Sequence, residues 1–179
     1  MREISLAKLV DEIIFPFVLL VAARYFGVFV STFIFPIQFT FGLKLHFAPL
    51  PFLSFASLND LETANSVSWV FTGAVLAVAF GFVAFRTLHL HEDHIHPKEA
   101  VRLHQKKMDH FIINSREAFH QALSWSAVAA ISLASSTADF ILGNVSTISF
   151  GVVAAISATI LLLFAVTIGG DLSLERKKV

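Results

Sequence analysis

The chain has 179 residues, 56% hydrophobic and 15% charged, with zero formal net charge and no cysteine. A soluble domain averages about 25% charged residues, and so short a chain has too little interior to hide this many apolar side chains from water, so the composition indicates one integral membrane domain over residues 1–179. Lack of cysteine excludes disulfides, thiolate catalysis and Cys-based metal centres, and zero net charge leaves no polybasic footprint for nucleic acid.

The N-terminus mixes Arg2 and Lys8 with Glu3, Asp11 and Glu12. The apolar run behind it is longer than a secretory signal core and lacks a small-x-small cleavage pattern. It reads as a permanent first span over residues 13–35, since about 20 apolar residues cross a bilayer as helix. Arg24 lies near its middle, where arginine costs at least about 2.5–3.5 kcal/mol to insert. Arg24 should therefore face the bundle and find an acceptor there. Asp139 is the only acidic residue in another span, although nearer that span's outer end, and freed backbone carbonyls near Pro16 are the alternative.

Residues 36–66 form a long, Phe-rich connection. Phe39, Phe41, Leu43, Leu45 and Phe47 alternate with Thr40, Gly42, Lys44 and His46, which is a strand period. An open strand edge cannot face lipid, so this stretch should lie at the outer interface, pair into a hairpin, or cover the bundle mouth. Pro49 and Pro51 are expected to end it.

A second span runs over 67–85, with Gly73, Ala77 and Gly81 at four-residue spacing. Small residues so placed let helices approach closely in lipid, inside one bundle or across a homodimer seam. The connection 86–120 follows, and carries His89, His91, His94 and His96 within eight residues. Clustered imidazoles are candidate ligands for a divalent transition metal. On a helix His89 and His96 would share one face and His91 and His94 another. The expectation is helix to about Glu92, a turn, and a new helix opened by Pro97 at its first position. That helix should continue to His120, lying on the cytoplasmic surface or running straight into the third span, with His110, Asn114, Glu117, Gln121 and Ser124 in one polar stripe. Glu117 and His120 also form Glu-x-x-His, a spacing used for metal in carboxylate-bridged bundles.

The third span covers 121–142 and contains Asp139, with Ser126, Ala130, Ala134 and Ala138 in a small-residue row. Gly143-Asn144 marks a tight turn. The fourth span, 148–168, carries Gly151 with Ala155, and Ala154 with Ala158. Of the 13 basic residues, all but Arg24 and Lys44 lie at the termini or in 86–120. By the positive-inside rule both termini and the histidine segment are cytoplasmic, in a plasma or inner membrane.

These readings define an all-α, four-transmembrane-helix bundle with an interfacial Phe-rich outer loop and a cytoplasmic helical extension before the third span. No closed catalytic set is evident. The expected function is a non-enzymatic subunit or scaffold, working as a homo-oligomer or beside a larger membrane partner. Two alternatives stand beside it. One is a metal-ion or proton transporter or channel using the histidine cluster and polar stripe; the other is a membrane metalloenzyme built on Glu117, His120 and the cluster.

Overall fold

A backbone removed from water must satisfy its N–H and C=O groups within its own segment, so long apolar runs fold as long helices. The computed structural model describes residues 6–45, 49–90, 95–108 and 111–176. In chain order these form α1 (Leu6–Ile34), β1 (Phe39–Leu45), β2 (Pro49–Phe55), α2 (Leu58–His89), α3 (Pro97–Gln105), α4 (Ser115–Ile141) and α5 (Thr147–Arg176). Three of the helices contain stretches long and apolar enough to cross a membrane, namely Ile13–Ile34, Leu58–His89 and Thr147–Val166. Their outward surfaces are hydrocarbon: Phe15, Phe26 and Phe33 on α1, Val78 on α2 and Leu162 on α5 are all exposed. Apolar side chains on every side of a helix are stable in a membrane, not in water.

The four long helices pack side by side. α1 lies against α2 and α4, α5 against α2 and α4, and α2 also reaches α4 across the middle. The central core joins Leu20, Leu76, Phe80, Val83, Trp125, Val128, Ala129 and Ile160. Serine fills much of the remaining seam. Ser124, Ser132 and Ser136 on α4 are buried at multiples of four residues, with Ser68 on α2 and Ser157 on α5. A serine adds little bulk, so neighbouring backbones can approach closely. Ser132 donates to the carbonyl of Val128 at 2.9 Å and Thr72 to that of Ser68 at 2.9 Å, which satisfies the hydroxyls within their own helix.

The closest approach is between α1 and α2 at Gly27. A Cβ there would lie 2.5 Å from the Ser68 Cα, so only glycine fits without separating the backbones. Gly27→Ala is expected to cost about 1–3 kcal/mol by overpacking. Gly81→Ala, where a Cβ meets nothing within 4 Å, is expected to cost nothing. Denaturant titration of the two variants in mixed micelles checks the difference.

Three local expectations need correction. Pro49 and Pro51 do not end the extended structure; they begin β2, which pairs antiparallel with β1 from Leu45↔Pro49 to Phe39↔Phe55. Both strands of a two-stranded sheet are edges, and an edge strand tolerates a residue with no N–H to donate. The second span is longer than 67–85 at both ends. α2 starts at Leu58, where the Ser57 hydroxyl accepts from the Asp60 N–H at 3.1 Å, and it stops at His89 rather than Glu92.

The third correction concerns the helix expected from Pro97 to His120, which is interrupted. His96 caps and Pro97 opens α3, but α3 ends at Gln105, and Lys107 takes a left-handed φ of 55°. α4 begins anew at Ser115 because Asn114 is its N-cap, accepting from the Glu117 N–H at 2.8 Å. Buried Ile113 and Ala118 flank that cap, the positions of a hydrophobic staple. Replacing Asn114 with alanine should cost about 1 kcal/mol, measurable as a lower denaturation midpoint.

Candidate functional site

Two charged clusters tie the helices together, one toward each end of the bundle. The first lies at the hairpin end. Polar residues Asn65, Ser68, Trp69 and Thr72 recur at three- and four-residue steps, so they occupy one face of α2. Arg24 approaches that face from α1 and Asp139 from α4. The Arg24 guanidinium donates through Nη2 to Asn65 Oδ1 at 2.6 Å and to Asp139 Oδ2 at 3.4 Å. Asp139 Oδ2 also accepts from Asn65 Nδ2 at 3.0 Å and from Trp69 Nε1 at 2.7 Å. The guanidinium carbon stands 3.9 Å from the centroid of the Trp69 ring, a cation–π contact. Asn65 Nδ2 reaches on to the carbonyl of Asn144 in the α4–α5 turn at 3.0 Å, and Ser68 donates to the carbonyl of Arg24 at 2.7 Å.

This geometry explains how Arg24 meets an aspartate near a helix end. Asp139 stands two residues before α4 stops, and Asn65 in the second turn of α2, so the long arginine side chain extends toward the hairpin end. The turn that completes the cluster is built by Gly143, at φ 71°, with the Asn144 N–H bonded to the carbonyl of Asp139 at 2.8 Å. That is the left-handed helix stop for which glycine is suited. Beside the cluster a groove of about 630 Å³ opens between α1 and α4. Its floor includes Arg24, Asn65, Trp69 and Asp139, and Phe55 of β2 stands at its hairpin end.

The second cluster is at the α3 end. Arg86, buried on α2, donates through Nε to the carbonyl of Phe111 at 3.1 Å and through Nη1 to Gln121 Oε1 at 3.2 Å. Its Nη2 is 3.6 Å from Glu117 Oε1, which also accepts from Gln121 Nε2 at 3.1 Å. The Ile113 N–H bonds to the carbonyl of Leu90 at 3.0 Å. The end of α2, the segment before α4 and the first turns of α4 are thereby held as one piece.

The other expected site residues are described only in part, and the described ones do not come together. Of the histidine cluster, His91 and His94 lie outside the described residues. His89 stacks on Phe85, centroids 4.8 Å apart, and exposed His96 accepts the Lys98 N–H at its Nδ1. Among the described residues no three His, Asp or Glu side chains converge as for a metal ion. Glu117 is engaged with Arg86 and Gln121, while His120 is buried one turn further on. The polar stripe is divided as well. Asn114 is a cap, Glu117 and Gln121 hold Arg86, and His110 is outside the described residues.

The small-residue rows turn out differently from their common spacing. Gly73 is buried against Val153 and Ile156 of α5. Ala77, Gly81, Gly151 and Ala155 are exposed, as are Ala130, Ala134 and Ala138 of α4. Sequence reasoning missed Asn65, Trp69 and the partnership of Arg86. Asn65 fell outside the expected span and Arg86 was counted only as a loop charge. The three- and four-residue recurrence of polar side chains from Asn65 to Thr72 was the available signal. Comparison with family models, with curated proteins and with solved structures finds no match, so geometry alone carries the functional reading.

Proposed function

We propose that this chain is a non-enzymatic membrane subunit or scaffold, a four-span bundle that works as a homo-oligomer or beside a larger membrane partner. One observation carries the reading. Two ion pairs link the helices, Arg24 with Asp139 between α1 and α4 and Arg86 with Glu117 between α2 and α4. Such pairs hold helices in register, and among the described residues no three His, Asp or Glu side chains converge on a common point.

α4 serves as the fourth span in this proposal. Its 27 residues make a helix about 40 Å long, against a hydrocarbon thickness of about 30 Å. The serines that lower its hydropathy, Ser124, Ser126, Ser132 and Ser136, are buried against other helices, whereas Ile131, Ile141 and Leu142 are exposed. Loop charge supports placing the α3 end and both termini in the cytoplasm.

The exposed small residues are the natural contact surface for a second copy or partner helix. In mild detergent the purified protein is expected to run at a mass above that of one chain. Gly81→Leu and Gly151→Leu, both into open space, should reduce that mass while preserving helicity. A monomer at all concentrations, or stoichiometric bound iron or zinc, would remove the proposal's support.

A metal-ion or proton transporter is the second reading, favoured by one observation. The same three helices line the 630 Å³ groove and a 370 Å³ cavity beside Arg86, Gln121 and Ser124. Leu20, Leu76, Trp125 and Val128 of the core lie between. Flux in proteoliposomes that disappears when Glu117 and Asp139 are neutralised would favour it over the scaffold.

A further inference from the structure

The groove beside Arg24 has a polar part and an apolar part, and they are separated along the bundle axis. Arg24, Asn65, Trp69 and Asp139 converge toward the hairpin end. Phe17 and Val21 of α1 and Ile131 of α4 continue the walls toward the middle of the bundle and are substantially exposed. An open-sided groove with polar groups near a bundle end and hydrocarbon toward its centre has the polarity of one bilayer leaflet. Its volume of about 630 Å³ falls within the roughly 300–1,000 Å³ of small-molecule sites.

The hydrogen-bonding state of the floor specifies the head group. All three bonds to the Asp139 carboxylate fall on Oδ2. Among the described residues nothing donates to Oδ1. The Arg24 Nη1 atom is buried without an acceptor. A carboxylate oxygen without a donor and a guanidinium short of acceptors, side by side, call for a ligand carrying both charges. Ionisable groups at membrane depth ordinarily face a partner or a polar cavity. A head that only accepts would leave Asp139 unmatched. A quaternary ammonium offers no N–H to it, whereas a primary ammonium donates three.

We propose that the α1–α4 groove is a binding site for a zwitterionic phospholipid with a primary ammonium, of the ethanolamine type. The ammonium donates to Asp139 Oδ1, the phosphate faces the Arg24 guanidinium, and an acyl chain lies along Phe17, Val21 and Ile131. The proposal rests on the bilayer placement given above and is independent of whether the chain is a scaffold or a transporter. Bound lipid would complete a charge cluster that the protein alone leaves half-matched, and would fill the groove between α1 and α4.

The test is native mass spectrometry of protein extracted from liposomes containing equal ethanolamine, choline and glycerol phospholipids with matched chains. The wild type is expected to retain one ethanolamine lipid per chain, favoured at least about tenfold over the other two, equivalent to about 1.4 kcal/mol. Ala138→Phe and Ser135→Phe fill the groove from exposed positions of α4 that make no hydrogen bond to the cluster, and each should abolish retention with helicity unchanged. Asp139→Asn should remove the preference for the primary amine. Equal retention of all three lipids by the wild type, or undiminished ethanolamine lipid in the groove-filling variants, would overturn the proposal. An oligomeric, membrane-spanning protein that holds no ethanolamine lipid would refute this site and leave the scaffold reading standing.

Discussion

Replacing Asp139 with leucine is expected to destabilise the bundle by at most about 3–5 kcal/mol, the cost of stranding one ion of a fully buried pair, since 26% of each side chain here is exposed. The loss would not be confined to Arg24. Trp69 and Asn65 both donate to the same carboxylate oxygen, and each would be left with an unmade hydrogen bond in low dielectric. Arg24→Leu should be comparably damaging, because Asp139 would keep only neutral donors. The double variant Arg24→Leu/Asp139→Leu is expected to be more stable than Asp139→Leu alone, since replacing both ions removes the uncompensated charge. Denaturant titration in mixed micelles measures all three. Trp69 stands in the cluster, so in a Trp125→Phe background its fluorescence reports the loss locally. Additive effects of the two substitutions would show that the ions do not act as a pair.

Arg86→Met is expected to cost about 2–3 kcal/mol, the range for removing hydrogen bonds made by a charged group. Arg86 reaches the Phe111 carbonyl, Gln121 and Glu117, and so ties the segment before α4 to the end of α2. The stretch between α2 and α4 should loosen with it. Limited proteolysis at Lys98, Arg102, Lys106 and Lys107 would then accelerate while the four long helices persist. Lysine should not rescue the defect, because one ammonium cannot reproduce the guanidinium fork. Unchanged proteolysis in Arg86→Met would show that the clamp is not what holds this segment.

Much of the helical frame was legible because its signal is composition over long windows. Apolar runs around Ile13–Ile34 and Thr147–Val166 specify helices wherever they begin, and Gly143-Asn144 marks a turn whatever surrounds it. The site was legible only in part. A lone Arg24 in an apolar helix demands an acceptor, and Asp139 is the obvious candidate by charge. Asn65 and Trp69 could not be inferred that way, since an asparagine and a tryptophan at the head of an apolar helix have many uses, and only the packed bundle chooses one. The same holds for Arg86, which at the end of a span reads as an interfacial charge until Gln121 and Glu117 come to face it. The small-residue rows leave their partner open for a related reason. Spacing identifies a helix face but not its neighbour, and the face that faces inward on α4 is a serine row beside the alanine one. The break between α3 and α4 was misread because periodicity continued through it, while an N-cap and a left-handed lysine, both local features, ended the helix.

In the proposed four-span bundle α4 crosses the membrane as the fourth helix, so that Asp139 meets Arg24 within it. The chain contains no cysteine, so single cysteines can be introduced at Ser57, Lys98 and Leu142, all exposed, and labelled with a membrane-impermeant maleimide. A four-span bundle places positions 57 and 142 on one side and 98 on the other. They should therefore label in opposite patterns in right-side-out and inside-out vesicles. Position 142 labelling together with position 98 would mean that α4 does not cross, and would overturn the four-span bundle.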